Sequence, residues 1–350
     1  DFCLKLGAAA GSYFRRANKK SHRVVIGKDT RLSGYMFENA LTAGLTSSGM
    51  NVLLLGPVPT PAVGLLTNSM RADLGIMISA SHNEHSDNGI KFFGPDGYKL
   101  SDSVELEIEA LVSKGIVYVS PEDIGRAKRI DDGRYRYIER VKSSFPNQMR
   151  LDGLKVVIDC ANGAGYKAAP EVLWELGAEV IPVGVSPDGR NINLECGSTS
   201  PTVAAETVVA HGADVAICLD GDADRVLIID EYGRPIDGDQ FLGMIGSRWF
   251  KNGNLVENTL VSTVMSNMRL EAFLKQEGIK LVRTFVGDRY VVERMRLNGF
   301  NLGGEKSGHV VMMDYSTTGD GLMAGLQFLA EMVRTGEVAS VVGRPFDLAP

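Results

Sequence analysis

The sequence predicts an α/β protein of three tandem homologous α/β domains with mixed, mostly parallel sheets. Three observations lead there. Short apolar runs alternate with segments of helical length, glycines punctuate the helix ends, and in each of three stretches the third strand runs straight into a polar loop. In open α/β sheets ligands bind beyond the carboxyl ends of the strands. Three equivalent loops are therefore expected to converge on a central cleft.

The first unit opens with the strand Arg23–Ile26, then Gly27, a helix over Met36–Ser48 ending at Gly49, and a strand over Asn51–Leu55. After another helical segment, the strand Leu74–Ile78 delivers Ser79-Ala80-Ser81-His82-Asn83. The second unit has a strand at Leu154–Ile158, a turn at Asn162-Gly163-Ala164-Gly165, a helix over Ala168–Leu176 and a strand over Glu179–Val183. A helix over Thr202–Ala210 and a strand over Asp214–Leu219 then deliver Asp220–Arg225. The third unit has strands at Thr259–Thr263, Lys280–Thr284 and Phe300–Leu302, with helices over Met268–Lys275 and Tyr290–Leu297 between them. It delivers Gly303–His309. The expected domains are 1–135, 136–232 and 233–342, with 343–350 opening a linker.

Composition sets the outer limits. Hydrophobic residues make up 44% and charged residues 23% of the 350, as in ordinary globular proteins. A net charge of -6 argues against nucleic acid as the main partner, because a phosphate backbone needs a basic footprint. No membrane partner is expected either: the apolar stretch Val52–Leu66 is broken by Pro57, Pro59 and Pro61. Cys3, Cys160, Cys196 and Cys218 lack metal-type spacing and read as buried free thiols, which suits the cytoplasm.

The loops carry the chemistry. Asp220, Asp222 and Asp224 alternate, so on an extended or looping backbone their carboxylates can converge on a hard cation such as Mg²⁺. An EF-hand is excluded: Arg225 stands where that loop needs glycine, and Val226–Ile229 reads as a strand where a helix should start. Ser81 lies beyond a fully apolar strand, with His82 beside it and Lys91 after the turn Asp87-Asn88-Gly89. A phosphate on Ser81 would bring roughly -1.5 to -2 charges. Lys91, Arg225 and Arg31 are the cations available to balance it. In the third loop Glu305 and Ser307 can hydrogen-bond a sugar, and His309 can move protons near neutral pH. His85 and His211 read as surface residues. Gly163–Ala168 matches a dinucleotide fingerprint, but the following strand ends Ile181-Pro182-Val183-Gly184 without the acidic residue that would hold a ribose.

Together the three loops resemble the signature loops of the α-D-phosphohexomutase superfamily. The resemblance extends to Gly27–Gly34, Asn88–Phe93, Asn191-Ile192-Asn193, Cys196–Thr199, Val286–Val291 and Thr318–Gly321, and so to nearly the whole chain. It is greatest for the members that act on glucosamine phosphate. It implies a phosphoserine at Ser81 and one Mg²⁺ per chain, held by the Ser81 phosphate with Asp220, Asp222 and Asp224. It also implies sugar binding by Glu305 and Ser307. Lys91, His82 and His309 would transfer protons or stabilise charge, and Arg31 and Arg225 would face substrate. The implied reaction interconverts glucosamine 6-phosphate and glucosamine 1-phosphate through glucosamine 1,6-bisphosphate, which also serves as activator, and feeds cell-wall precursor synthesis. The partner is then a small phosphosugar, and a homodimer is compatible with it. Phosphoglucomutase or phosphomannomutase action, a metal-dependent phosphosugar phosphatase and a non-catalytic phosphosugar-binding protein are the competing readings. The family pattern also has an upstream Gly-Thr-Asp-Gly-Ile-Arg-Gly-like segment and a fourth, α+β domain with a phosphate-gripping loop. Both are absent from this sequence, and Glu84 stands in place of a usual proline. The chain is accordingly expected to be part of a longer protein, to bind metal and to turn over poorly alone.

Overall fold

The computed structural model describes residues 1–15, 21–115 and 118–349. The first sheet contains β1 (His22–Lys28), β2 (Met50–Pro57), β3 (Leu74–Ile78), β4 (Ile90–Phe93) and β5 (Ala127–Arg129), in the order β4-β3-β1-β2-β5. The second contains β6 (Lys155–Asp159), β7 (Glu179–Val183), β8 (Val215–Leu219), β9 (Val226–Asp230) and β10 (Pro235–Ile236), in the order β10-β9-β8-β6-β7. The third contains β11 (Thr259–Thr263), β12 (Lys280–Thr284), β13 (Leu302–Gly304) and β14 (Val310–Met312), in the order β12-β11-β13-β14.

The three sheets share one plan. In each, the first strand lies between the second and third and runs parallel to both, and a fourth returns antiparallel beside the third. Strands β3 and β8 are buried at every position, which is why they read as unbroken apolar runs: helices cover both faces of their sheets. The polar loops therefore sit not at free strand ends but inside connections between antiparallel neighbours, β3 to β4, β8 to β9 and β13 to β14. Such a connection holds a loop from both sides.

Several strands differ by a residue or two at their ends from the sequence expectation, and one of these shifts has a clear cause. The third strand of the third unit begins at Leu302, not Phe300. Gly299, at φ 70°, ends the helix Asp288–Asn298, and the Phe300 N–H bonds back to the Met295 carbonyl at 3.0 Å. Phe300 thus completes the helix cap instead of starting the strand.

The units share a core. One continuous apolar cluster includes Val58 and Val63 of the first, Ile217 and Leu219 of the second, and Phe241 and Leu260 of the third. At its centre lies the helix Gly321–Thr335, buried from Gly321 through Met332 and apolar on most sides, as a helix with no solvent face should be. Gln327 Nε2 donates to the Ser144 carbonyl at 2.9 Å, and Arg248 donates to the Gln327 carbonyl at 2.7 Å. Asp320 caps the helix by accepting from the Met323 N–H at 2.9 Å, and it also accepts from the Tyr137 hydroxyl at 3.0 Å. No helix among the described residues is long and apolar enough to cross a membrane. All four cysteines are buried free thiols.

Burial raises the Asp320 carboxyl to about 6, although hydrogen bonds from the Met323 N–H and Tyr137 oppose the shift. The folded state thus binds its proton more tightly than the unfolded state, whose carboxyl titrates near 3.8. The stability this group contributes is complete below the unfolded value and is lost as pH rises to about 6. Without divalent cations, the stability of the unsubstituted protein relative to Asp320→Asn should fall by about 2 kcal/mol between pH 4 and 6.5. Denaturant melts of both proteins across that range would show it. A constant difference would contradict the assignment.

Candidate active site

The β8–β9 connection is short enough to fold back on itself, with Ala223 in the left-handed region at φ 60°. Asp220, Asp222 and Asp224 are buried, and one carboxylate oxygen of each lies within 4.8 Å of the others. Three anions so close repel unless cations answer them. Lys91, projecting from β4, answers two: its Nζ donates to Asp222 Oδ2 at 2.6 Å and to Asp224 Oδ2 at 3.1 Å. Thr60, which opens the helix Thr60–Ser69, donates its hydroxyl to Asp222 Oδ2 and its N–H to the Asp222 carbonyl. Asp222 Oδ1 and Asp224 Oδ1 are buried with no hydrogen-bond partner. Those orphaned oxygens, in an all-oxygen cluster, fit a hard divalent cation.

The charges divide the site. Burial lowers the Lys91 ammonium, but the Asp222 and Asp224 carboxylates more than reverse this, so Lys91 stays a cation. Burial pushes Asp224 up, but Lys91, with Lys99 and Arg225, outweighs it and holds the group below the usual carboxylate range. Asp220 is raised, by burial and then by the charges of Asp224 and Asp222.

Ser81 sits beside this cluster. Its hydroxyl donates to Asp220 Oδ2 at 2.6 Å, and its φ of 52° is left-handed, unusual for a residue with a Cβ. Support comes from behind the loop. Ser79 Oγ accepts from the Ser81 N–H at 2.9 Å and donates to Asp29 Oδ2 at 2.6 Å. Arg31 is buried there as well, paired with Asp29 and donating to the Asn83 carbonyl at 2.6 Å. It lies behind the loop rather than in the cleft, because its guanidinium is engaged by the loop's own carbonyls. His82 is exposed. Partial burial and the Arg225 charge lower its imidazole.

The third loop closes the arrangement. The Val226 N–H donates to the Gly308 carbonyl at 3.1 Å, and a Cβ on Gly308 (φ 88°) would lie 2.0 Å from the Val226 carbonyl oxygen. Only glycine lets the third unit's loop lie so close to the second unit's hairpin. Glu305 Oε1 accepts from the Gly287 N–H at 3.0 Å, and Ser307 is exposed. His309 is buried, its Nε2 3.6 Å from Asp288 Oδ2 and 4.0 Å from Asp224 Oδ2, with neither ring nitrogen hydrogen-bonded. Burial lowers its imidazole more than the two carboxylates raise it, which favours the neutral ring.

These groups share a cleft of about 570 Å³, lined by Ser81, Lys91, Asp224, Arg225, Glu305, Ser307 and His309. Lys99 and Asp288 also line it and are ion-paired to each other. Sequence reasoning missed Thr60, Lys99 and Asp288. Thr60 had a signal, a polar side chain flanked by Pro59 and Pro61 beyond the carboxyl end of β2. Asp288 lies in a stretch noted only for its resemblance. The fingerprint-like turn at Gly163 packs against the aspartate loop: the Ala164 N–H donates to the Gly221 carbonyl at 2.8 Å, and a Cβ on Gly163 would lie 2.2 Å from that oxygen.

Fold and cleft together define a three-unit α/β/α protein whose central site joins a serine to a carboxylate triad. Family models for domains I, II and III of phosphoglucomutase/phosphomannomutase match residues 1–118, 135–233 and 237–345. The chain belongs to that family. It is 72% identical to the phosphoglucosamine mutase of Ruegeria sp. (strain TM1040) and 71% identical to that of Roseobacter denitrificans, in each case over all of this chain and 78% of the relative. Among solved structures, a phosphoglucomutase/phosphomannomutase family protein from Burkholderia thailandensis superposes with a TM-score of 0.86 at 24% identity. That match covers 99% of this chain and 75% of that one, and shows the shared fold.

Lys91 and a divalent cation should compete to neutralise the same carboxylates. With a chelator, Lys91→Met should be less stable than the unsubstituted protein. Saturating Mg²⁺ should then raise its melting temperature by more than it raises that of the unsubstituted protein, where the gain at 100 times Kd is about 2.7 kcal/mol. Asp222→Asn with Asp224→Asn should abolish the gain. An equal Mg²⁺ gain with and without Lys91 would contradict the competition.

Proposed function

We propose that the protein is an isomerase that interconverts glucosamine 6-phosphate and glucosamine 1-phosphate, with Ser81 carrying the transferred phosphoryl group. The observation that carries this is the Ser81 hydroxyl hydrogen-bonded to Asp220 at 2.6 Å, in the cleft that Glu305, Ser307 and His309 also line. The choice of an amino sugar is supported by the relatives at 72% and 71% identity.

In the forward direction Ser81 starts phosphorylated. The C1 hydroxyl oxygen of glucosamine 6-phosphate attacks phosphorus, the Ser81 Oγ–P bond breaks, and a new O1–P bond gives glucosamine 1,6-bisphosphate. His309, neutral and lining the cleft, is placed to take the hydroxyl proton. Lys91, fixed as a cation, stabilises charge on the passing phosphoryl oxygens, with Arg225 beside it. The bisphosphate turns over in the cleft. Ser81 Oγ then attacks the 6-phosphate, O6 takes back the proton, and glucosamine 1-phosphate leaves. Glu305 and Ser307 hold sugar hydroxyls in both orientations. Arg31 acts from behind the serine loop and His82 from its solvent side. Asp220, Asp222 and Asp224, with the Ser81 phosphate, would hold one Mg²⁺, which supplies charge neutralisation at the phosphoryl group. The reading goes with a cytoplasmic setting and with glucosamine 1,6-bisphosphate as activator.

Isomerisation of glucosamine 6-phosphate, glucose 1-phosphate and mannose 1-phosphate by the full-length protein, with Mg²⁺ and a trace of the matching bisphosphate, tests this. The amino sugar should be preferred, and Ser81→Ala should lower kcat by at least about 10⁴-fold. Preference for a neutral sugar would change the substrate and keep the mechanism. Release of inorganic phosphate without isomerisation would overturn the proposal.

A further inference from the structure

We infer that Asn193 is a positioning residue for Ser81: from the second unit, its side-chain amide holds the serine's main chain in the conformation that brings the hydroxyl onto Asp220. The inference rests on the phosphoryl-transfer reading above.

Ser81 adopts a left-handed φ of 52°, which a residue with a Cβ keeps only when its surroundings impose it. Contacts within the first unit account for part of this. Ser79 Oγ fixes the Ser81 N–H at 2.9 Å, leaving the carbonyl side of Ser81 to be held. Asn193 Nδ2 holds it, donating to the Ser81 carbonyl at 2.9 Å and to the Asn83 carbonyl at 2.9 Å. One amide thus spans the residues on either side of His82. Two carbonyl oxygens facing the amide require its nitrogen there, which settles the orientation of the group.

The donor is itself fixed. Asn193 is left-handed at φ 59°, a conformation asparagine tolerates well, and its own N–H donates to the Ala161 carbonyl at 2.9 Å. Gly221 leaves the space: a Cβ there would lie 2.6 Å from the Ser81 carbonyl oxygen and 2.7 Å from Asn193 Nδ2. The second unit therefore grips Ser81 twice, at the hydroxyl through Asp220 and at the carbonyl through Asn193. Without the amide, the Ser81 carbonyl loses its donor, the Asn83 carbonyl keeps only Arg31, and Ser81 is free to leave the left-handed region. Its Oγ would then swing away from the carboxylate cluster.

Two substitutions in the full-length protein separate positioning from general support. Asn193→Gly keeps the left-handed backbone at low cost and removes the amide. Asn193→Asp keeps the shape and removes the donors. Three readings are compared with the unsubstituted protein: the single-turnover rate of phosphoryl transfer from phosphorylated Ser81 to glucosamine 6-phosphate, the kcat and KM of isomerisation, and the rise in melting temperature with Mg²⁺. Both variants should lose about tenfold to a hundredfold in transfer rate and kcat, with KM within about twofold and the Mg²⁺ rise retained. Transfer rates within about twofold of the unsubstituted protein in both variants would overturn the inference alone. So would a parallel loss of transfer, KM and Mg²⁺ response, which marks a purely structural role. An unsubstituted protein that transfers no phosphoryl group would overturn the functional reading, and this inference with it.

Discussion

Three carboxylates buried within 4.8 Å of one another repel strongly, and much of the surrounding structure serves to answer that repulsion. Lys91 reaches across from β4 to bridge two of them, and Thr60 donates to one from the helix after β2. Lys99 and Arg225 add to the field that holds Asp224 ionised. Cations and donors thus come from the first unit to anions of the second, and the third unit brings His309 to 4.0 Å from Asp224. The cluster cannot form unless the three units are held in fixed relation, and the shared core around the helix Gly321–Thr335 holds them so.

The repeated four-strand plan gives this convergence its geometry. A loop at a free strand end has many conformations, whereas one clamped between a buried strand and its antiparallel return has few. The Asp220–Arg225 and Glu305–His309 loops span only six and five residues. The serine loop is longer and takes its order from elsewhere: Asp29 and Arg31 behind it, Asn193 and Asp220 in front. That is why Ser81, left-handed like Ala223, is among the most heavily braced residues of the site.

Much of this was legible in the sequence, for physical reasons that differ by element. The strands Leu74–Ile78, Glu179–Val183, Thr259–Thr263 and Lys280–Thr284 have the bounds their apolar runs and flanking turns predict. The triad was legible because alternate aspartates between two strands have few other uses. The short return strands β4 and β14 were not separately legible, since a few residues carry too little periodicity. Neither was the role of Arg31: a basic residue near a phosphate site reads as a ligand, and only the fold shows that its guanidinium is engaged by Asp29 and Asn83. Thr60, Lys99 and Asp288 are single polar residues whose meaning comes from partners far away in sequence.

The central claim is that Ser81 carries the phosphoryl group between sugar and sugar. The most direct measurement follows phosphate labelled in glucosamine 1,6-bisphosphate after incubation with the full-length protein and Mg²⁺, by intact mass and by peptide mapping. The account predicts one phosphate per chain, on Ser81, discharged into new bisphosphate when glucosamine 6-phosphate is added. Label that never enters the protein, or that leaves it only as inorganic phosphate, would contradict it.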